Sequence, residues 1–325
     1  PASNPFHRCV YLTGATASGK TAVGVALAEL LDAEILAMDS MTLYRGMDIG
    51  TAKPSEEERR GIAHHLIDRL DPWESASVAR YREWAEQAVL EIERRGRRPL
   101  FVGGAPLYLK ALLRGLFEGP GSDPALRQDL DAEAEKLGRA SLHARLARQD
   151  PVTAARLHPN DLRRVIRALE VLEISGRPLS EHQTGHEQPA PASVPVFALG
   201  RRRDVLHLRI NQRVDQMIAA GWVEEVRELA RLEPPIHPVP AQAVGYQELL
   251  GWLSREDSGA AEPFASVVER IKARTRQFAK RQETWFRNLK ETRAWPLTDD
   301  ETPERVAKAL AAAISRVEGP SPTEC

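Results

Sequence analysis

The feature that most constrains this chain is the octapeptide Gly14-Ala15-Thr16-Ala17-Ser18-Gly19-Lys20-Thr21, which fits G-x-x-x-x-G-K-[ST] at every fixed position. Its surroundings are those such a loop requires. Val10-Tyr11-Leu12 predicts a short buried strand before it, and Val23, Ala26, Leu27, Leu30 and Leu31 recur at helical spacing after it. Strand, glycine turn and helix together turn bare backbone N–H groups toward an anion, with a helix N-terminus behind them. Lys20 is then expected on the terminal phosphates of a phosphate chain, and the Thr21 hydroxyl on a magnesium ion, Mg2+.

A chain of 325 residues suits two domains of about 150 residues each better than one. With 42% apolar and 28% charged residues it has the composition of a globular protein. No apolar run approaches the ~20 residues that span a bilayer, and no signal peptide opens the chain, so no membrane partner is expected. Cys9 and Cys325 are too few for a disulfide framework or a structural zinc site, and a cytoplasmic location follows as the expectation. The net charge of −1 conceals local basic stripes. Between Arg270 and Arg287 stand seven Lys or Arg and one acid, Glu283, and further clusters occur at Arg163, Arg164 and Arg167 and at Arg201-Arg202-Arg203. For phosphate binding such stripes count for more than the average.

Ala33 to Ser40 reads as a second buried strand ending in Asp39. In open α/β sheets ligands gather at the carboxyl ends of strands, so Asp39 is expected beside the phosphate loop as magnesium ligand, general base or cap of the next turn. Residues 41–53 are glycine-punctuated and predict an ordered loop over the site, carrying Arg45 and Lys53. His64 and His65 are adjacent and so do not predict a shared metal. A helix is expected over Ser77 to Arg95, a third strand at Pro99 to Val102 ending in Gly103-Gly104, and a helix from Leu107 to Leu113.

Gly115 to Pro124, with three glycines and two prolines, marks a boundary. Beyond it to about His182 the pattern is helical, and the clearest helix is capped at Asn160 or Asp161 and stops at Gly176. On it Arg163, Arg164 and Arg167 fall away from the apolar stripe. Gln183 to Pro195 reads as a return linker and Val194 to Gly200 as a fourth strand. The expected architecture is therefore α/β: a P-loop NTPase-like parallel sheet core flanked by helices, formed by residues 1–122 and 200–325, with an inserted, mostly helical domain at 123–199. Asp204 is expected to cap a helix whose Arg209 and Arg213 flank its apolar stripe, and within Pro238 to Leu250 the segment Gln242 to Gln247 reads as loop-like around Gly245. A long helix from about Ser266 to Leu289 should bury Ile271, Phe278, Trp285 and Leu289. Its acid-poor outer face points to a polyanion.

The order of these segments resembles the tRNA dimethylallyltransferase family of bacterial type. The resemblance rests on Gly14 to Thr21, Asp39-Ser40-Met41, Tyr44 to Pro54, His64 to Asp68, Leu157 to Asp161, Arg167 to Val171, Val244-Gly245-Tyr246 and Lys280 to Arg287, and covers about residues 10 to 290. It implies transfer of the dimethylallyl group from dimethylallyl pyrophosphate to N6 of the adenine 3′ to the anticodon, in the anticodon stem-loop of tRNA. It implies further that Asp39, Lys20 and Arg213 are catalytic, with Asp39 receiving or orienting the N6 proton. Gly14, Ala15, Thr16, Ala17, Ser18, Gly19, Lys20 and Thr21 would hold the pyrophosphate, and Mg2+ would neutralise the leaving group. Asp39, Ser40, Met41, Thr42, Ala105, Arg127, Arg163, Arg164 and Arg167 fall where the family meets tRNA. So do Gln242, Val244, Gly245, Tyr246 and Gln247, and Lys280, Arg281, Gln282, Thr284, Trp285 and Arg287. A monomer is expected.

The chemistry asks for the same residue types. An allylic pyrophosphate leaves as a polyanion and needs cations aimed at it. An exocyclic amine is a weak nucleophile and gains from an acceptor for its proton. A base turned out of a single-stranded loop is the accessible target in RNA. Two positions depart from the family pattern: Ala105 stands where a threonine is usual, and Thr42 where a glutamine is common. A small-molecule P-loop kinase would use Gly14 to Thr21 equally well, with Lys20 on an ATP γ-phosphate, as would an RNA-binding GTPase or ATPase. The kinase leaves Lys280 to Arg287 and the arginine helix without a purpose, and no nucleotide-base motif stands out for the GTPase or ATPase.

Overall fold

β1 (Val10–Gly14) lies inside a six-stranded sheet with β2 (Ala33–Ala37), β3 (His64–His65), β4 (Arg98–Val102), β5 (Val196–Gly200) and β6 (Arg293–Pro296). The order is β3-β2-β4-β1-β5-β6, and every neighbouring pair is parallel. The structure is a computed structural model and describes residues 4–116, 119–182, 188–256, 259 and 262–319. The inner strands are mostly apolar on both faces, broken by Thr13, Glu34 and Arg98, because helices cover both faces of the sheet. Successive side chains serve opposite cores. Val10, Leu12, Ile35 and Leu100 pack with Val23, Leu27, Leu310 and Ile314. Tyr11, Leu36 and Phe101 pack on the other face with Tyr81, Val89 and Ile92. This is the expected α/β class. The edge strands β3 and β6 were not legible, since His-His and Arg-Ala-Trp-Pro carry no apolar run. His64 and His65 take different partners, Ile62 O and Glu34 Oε2.

The chain folds as two units, one of residues 1–113 with 189–325 and the other of residues 114–188. The boundary expected at 199 is corrected: β5 pairs with β1 and belongs to the sheet, because Val196 to Leu199 supply apolar contacts to its two faces. Part of the linker read at Gln183 to Pro195 lies outside the described residues, as do two residues of the boundary segment Gly115 to Pro124 and Cys325. The 114–188 unit has helices Pro124–Leu137, Arg139–Gln149, Pro151–Arg156, Leu162–Ser175 and Leu179–His182 around its own core of Leu130, Leu142, Leu146, Val165 and Leu169.

Within that unit the Glu170 side chain is fully buried. It accepts two hydrogen bonds of 2.9 Å from Arg127, one from Arg167 and one from the Asp123 N–H. Burial pushes the Glu170 carboxyl up, but Arg127, Arg167 and the Asp123 amide outweigh that and hold it below the usual carboxylate range. Arg167 therefore parts from Arg163 and Arg164, which stay exposed on the same helix.

Three further expectations are corrected in the larger unit. The helix read as capped by Asp204 is Arg203–Ala219; Arg202 is its N-cap and Asp204 sits in the first turn, paired with Arg202. The segment read as loop-like, Gln242 to Gln247, is a turn only over its first four residues: it joins helix Pro238–Ala241 to helix Tyr246–Glu256, which already contains Tyr246 and Gln247. Phe278 and Trp285 are each 37% exposed, whereas Val267, Ile271, Thr275, Ala279, Gln282 and Phe286 form the buried face of helix Phe264–Asn288. The apolar residues alone misplaced that face, because small and polar residues complete it.

Loop 41–53 is held down by helix Trp222–Ala230. The Glu225 carboxylate accepts the N–H groups of Asp48, Ile49 and Gly50 at 2.9, 2.7 and 3.3 Å, and the Tyr246 hydroxyl at 2.6 Å. Trp222 fills the gap between Gly50 and Gly245, where a Cβ would stand 2.1 and 2.0 Å from its ring, so neither position has room for a side chain. The Val244-Gly245-Tyr246 turn and the loop over the site are thus one packed unit. Replacing Glu225 by alanine should speed amide exchange of Asp48, Ile49 and Gly50 at least about tenfold and leave β1 and β4 unchanged. Unaltered exchange at those three amides would contradict this clamp.

Candidate functional site

The site forms at the carboxyl ends of β1, β2 and β4, where the parallel sheet opens. Gly103 brings the last two together: a Cβ there would stand 2.0 Å from Met38 O. The Met38 N–H donates to Val102 O at 2.9 Å and the Ala105 N–H to Met38 O at 3.2 Å. The Thr13 hydroxyl donates to Gly103 O at 2.8 Å, tying in β1. Asp39 is fixed beside the phosphate loop by these contacts and accepts the Met41 N–H on Oδ1 at 2.8 Å.

The octapeptide passes from β1 into helix Lys20–Leu31, with Gly19 in the left-handed region at φ 103°. Lys20 Nζ donates to Ala15 O at 2.7 Å. Three arginines brace the loop. Arg201 Nε donates to Ser18 O and Arg209 Nε to Ala17 O, each at 2.9 Å, while Arg213 donates to the Thr16 hydroxyl. The Ser18 hydroxyl is buried without a hydrogen-bond partner among the described residues. A cavity of about 500 Å³ opens over the loop, lined by Gly19, Lys20, Thr21, Arg209 and Arg213 among others. A second, of about 100 Å³, shares Lys20, Thr21 and Arg213 with it and is also lined by Thr16, Asp39 and Gly104.

These charges lie deep in the fold while facing the cavities. Burial, then repulsion from Arg213, push the Lys20 ammonium down to about 7 against the pull of Asp39. Burial takes the Arg213 guanidinium down to about 10. Burial likewise raises the Asp39 carboxyl, against the opposing effect of the Met41 amide and Lys20. A bound polyanion would relieve both cations at once. Oxygen donors at Thr21 and Asp39, with no cluster of three His, Cys, Asp or Glu among the described residues, fit a hard divalent ion held mainly by phosphate oxygens.

The remaining expected residues fall into separate places. Ser40 and Met41 are half-buried, and Thr42 is buried with its hydroxyl 3.4 Å from Asp39 O. Ala105 packs against the main apolar core. Gln242 and Gln247 are exposed and Val244 is half-buried, while Gly245 and Tyr246 are buried in the clamp described above. Arg127 and Arg167 are engaged by Glu170. On helix Phe264–Asn288 the basic residues divide. Arg270 pairs with Glu262, Lys272 with Asp215, Arg274 with Glu248, and Arg276 bonds Asn211. Lys280, Arg281, Thr284, Trp285 and Arg287 are exposed, and those three cations make no ion pair with a described residue. Arg281 lies over the Phe278 ring at 5.8 Å. Gln282, between them in sequence, is 3% exposed and faces the phosphate loop. The bracing by Arg201 and Arg209 went unread because it uses their side chains against loop carbonyls, which no sequence spacing reveals.

The chain matches the family model described as IPP transferase over residues 42–289, and that described as isopentenyl transferase over residues 8–74. It is 47% identical over 281 residues to a tRNA dimethylallyltransferase of Geobacter metallireducens, covering 86% of this chain and 89% of the relative. Among solved structures it resembles a tRNA isopentenylpyrophosphate transferase of Bacillus halodurans, with 37% identity, a TM-score of 0.70, and 96% and 97% of the two chains covered. It also resembles a eukaryotic dimethylallyltransferase captured acting on tRNA, with 28% identity and a TM-score of 0.77 over 95% of this chain and 78% of that one.

The low Lys20 value sets a proton balance. In the free protein Lys20 is charged below pH ~7 and neutral above it; an anion in the loop restores the charge. Pyrophosphate binding at pH 8.5 should therefore take up about one proton more in wild type than in Lys20→Met, and the difference should vanish near pH 6. Calorimetry in buffers of differing ionisation enthalpy measures it. Equal uptake in both proteins at pH 8.5 would contradict a neutral, buried Lys20.

Proposed function

The chain belongs to the tRNA dimethylallyltransferase family, and from that we propose that it transfers the dimethylallyl group of dimethylallyl pyrophosphate to N6 of the adenine 3′ to the anticodon of tRNA. The observation that carries this reading is the meeting of Asp39, Lys20, Thr21 and Arg213 around one cavity. A carboxylate and a phosphate cradle facing one space suit a reaction in which an amine loses a proton while a pyrophosphate departs. The N6–C1 bond forms as the C1–O bond to pyrophosphate breaks, and the N6 proton passes to Asp39. The raised Asp39 carboxyl makes it a better acceptor for that proton than an ordinary aspartate. Lys20, Arg213 and the loop amides from Ala17 to Thr21 carry the growing charge of the leaving group. Magnesium on Thr21 and the donor's own oxygens would supply further neutralisation there.

The RNA side is proposed for the exposed residues. Lys280, Arg281 and Arg287 take backbone phosphates, and Trp285 and Phe278 offer stacking faces beside them. Arg163 and Arg164 add cationic contacts from the inserted unit, and Gln242 and Gln247 polar ones. Arg127 and Arg167 act by tying helices Pro124–Leu137 and Leu162–Ser175 together at Glu170. We propose that the acting unit is one chain; no described helix is long and apolar enough to cross a membrane. We place the enzyme in the cytoplasm, where its RNA would be met. A small-molecule kinase gains no support: it has no use for the exposed cations and aromatics of helix Phe264–Asn288.

One incubation tests the reading. With bulk tRNA, magnesium and either prenyl-labelled dimethylallyl pyrophosphate or γ-labelled ATP, label should reach RNA from the first alone. Transfer from ATP, or none from the pyrophosphate, overturns it. Lys280→Ala, Arg281→Ala and Arg287→Ala should each flatten the logarithmic salt dependence of tRNA binding by about one unit, whereas Arg274→Ala should leave the slope unchanged. A flattened slope in Arg274→Ala would show that its Glu248 pair opens onto the RNA.

A further inference from the structure

Gln282 turns inward on the helix whose Lys280 and Arg287, proposed for RNA, point away from it. Its neighbours Lys280, Arg281 and Thr284 are exposed, yet Gln282 is 3% exposed and both ends of its amide are occupied. Its Oε1 accepts the Thr16 N–H at 2.8 Å, and its Nε2 donates to Gly104 O at 2.6 Å. Thr16 belongs to the phosphate loop and its hydroxyl holds Arg213. Gly104 belongs to the turn after β4. Both partners line the cavity that contains Asp39 and Lys20. A donor on one side and an acceptor on the other fix the amide's orientation, and no carboxylate or aliphatic side chain meets both demands.

We propose that Gln282 is a positioning residue through which RNA docked on the outer face of helix Phe264–Asn288 tightens the grip of the phosphate loop on pyrophosphate. This rests on the reading of that outer face as the RNA surface. The connection is short. One side chain joins the turn that carries Lys280 and Arg281 to the loop strand at Thr16 and to the cavity wall at Gly104. A small displacement of this helix on binding RNA moves the acceptor of the Thr16 amide, and with it the side chain that orients Arg213. Such coupling is reciprocal: pyrophosphate in the loop tightens RNA by the same factor.

The test measures pyrophosphate affinity with and without an anticodon stem-loop RNA, so it needs no turnover. In wild type the RNA should tighten pyrophosphate by at least about fivefold, within the ~5–150-fold usual for coupled sites. In Gln282→Ala the separate affinities for pyrophosphate and RNA should stay within about threefold of wild type, while the coupling factor falls to about one. Gln282→Glu keeps an acceptor for the Thr16 amide but sets a carboxylate against Gly104 O, and should lose coupling too. It carries the test if the alanine variant does not fold. Coupling absent in wild type or undiminished in the variants overturns the proposal, as does parallel loss of both separate affinities, the mark of a merely structural residue. Should wild type fail to prenylate RNA while this coupling is present and depends on Gln282, the reaction assigned above fails and the positioning role stands.

Discussion

The site depends on positive charge buried where no acid fully balances it. Lys20 and Arg213 line the same cavities; burial and repulsion from Arg213 bring Lys20 down to about 7, and burial with repulsion from Arg209 brings Arg213 to about 10. Asp39 offsets part of this but is itself pushed up by burial. Because the folded-state Lys20 value lies below its ordinary 10.5, the unfolded chain binds more protons between about pH 7 and 10.5. Stability from this group therefore rises with pH through that window, and the cost of the buried charge is fully present below it. A bound anion removes that cost. The clamp of Glu225 on loop 41–53, the braces from Arg201 and Arg209, and the strut at Gln282 all keep this frustrated arrangement from relaxing.

What could be read from the sequence was local. The phosphate loop is a backbone device whose glycines and lysine must sit at fixed offsets, so eight residues announce it. The inner strands are mostly apolar on both faces and announce themselves likewise, and the phosphate loop then places Asp39 through the topology alone. What could not be read was pairing across the chain. Arg270, Lys272 and Arg274 look like a bare cationic stripe, yet Glu262, Asp215 and Glu248 come from other elements to meet them. Only Lys280, Arg281 and Arg287 keep the character the composition suggested. Gln282 sits inside the same motif and reads like its neighbours until burial is known.

The two departures from the family pattern have different settings. Thr42 is buried with its hydroxyl toward the Asp39 carbonyl, so the shorter side chain acts on the carboxylate's own segment. Ala105 packs against the apolar core while its N–H holds Met38 O, which keeps β2 and β4 in contact at the site without any side-chain hydroxyl. Neither change disturbs the phosphate loop. Both leave Asp39 as the acid that meets the Lys20 and Arg213 pair.

The central claim is that Asp39 takes part in the bond-making step and not in holding the donor. The most direct measurement is the single-turnover rate of dimethylallyl transfer to tRNA, with enzyme in excess, in Asp39→Asn against wild type, alongside the donor's dissociation constant in each. A fall of about 10²–10⁴-fold in the rate, with donor affinity unchanged within a few-fold, is the result predicted for a general base. A single-turnover rate equal to wild type would contradict it, and would move the proton acceptor elsewhere in the cavity.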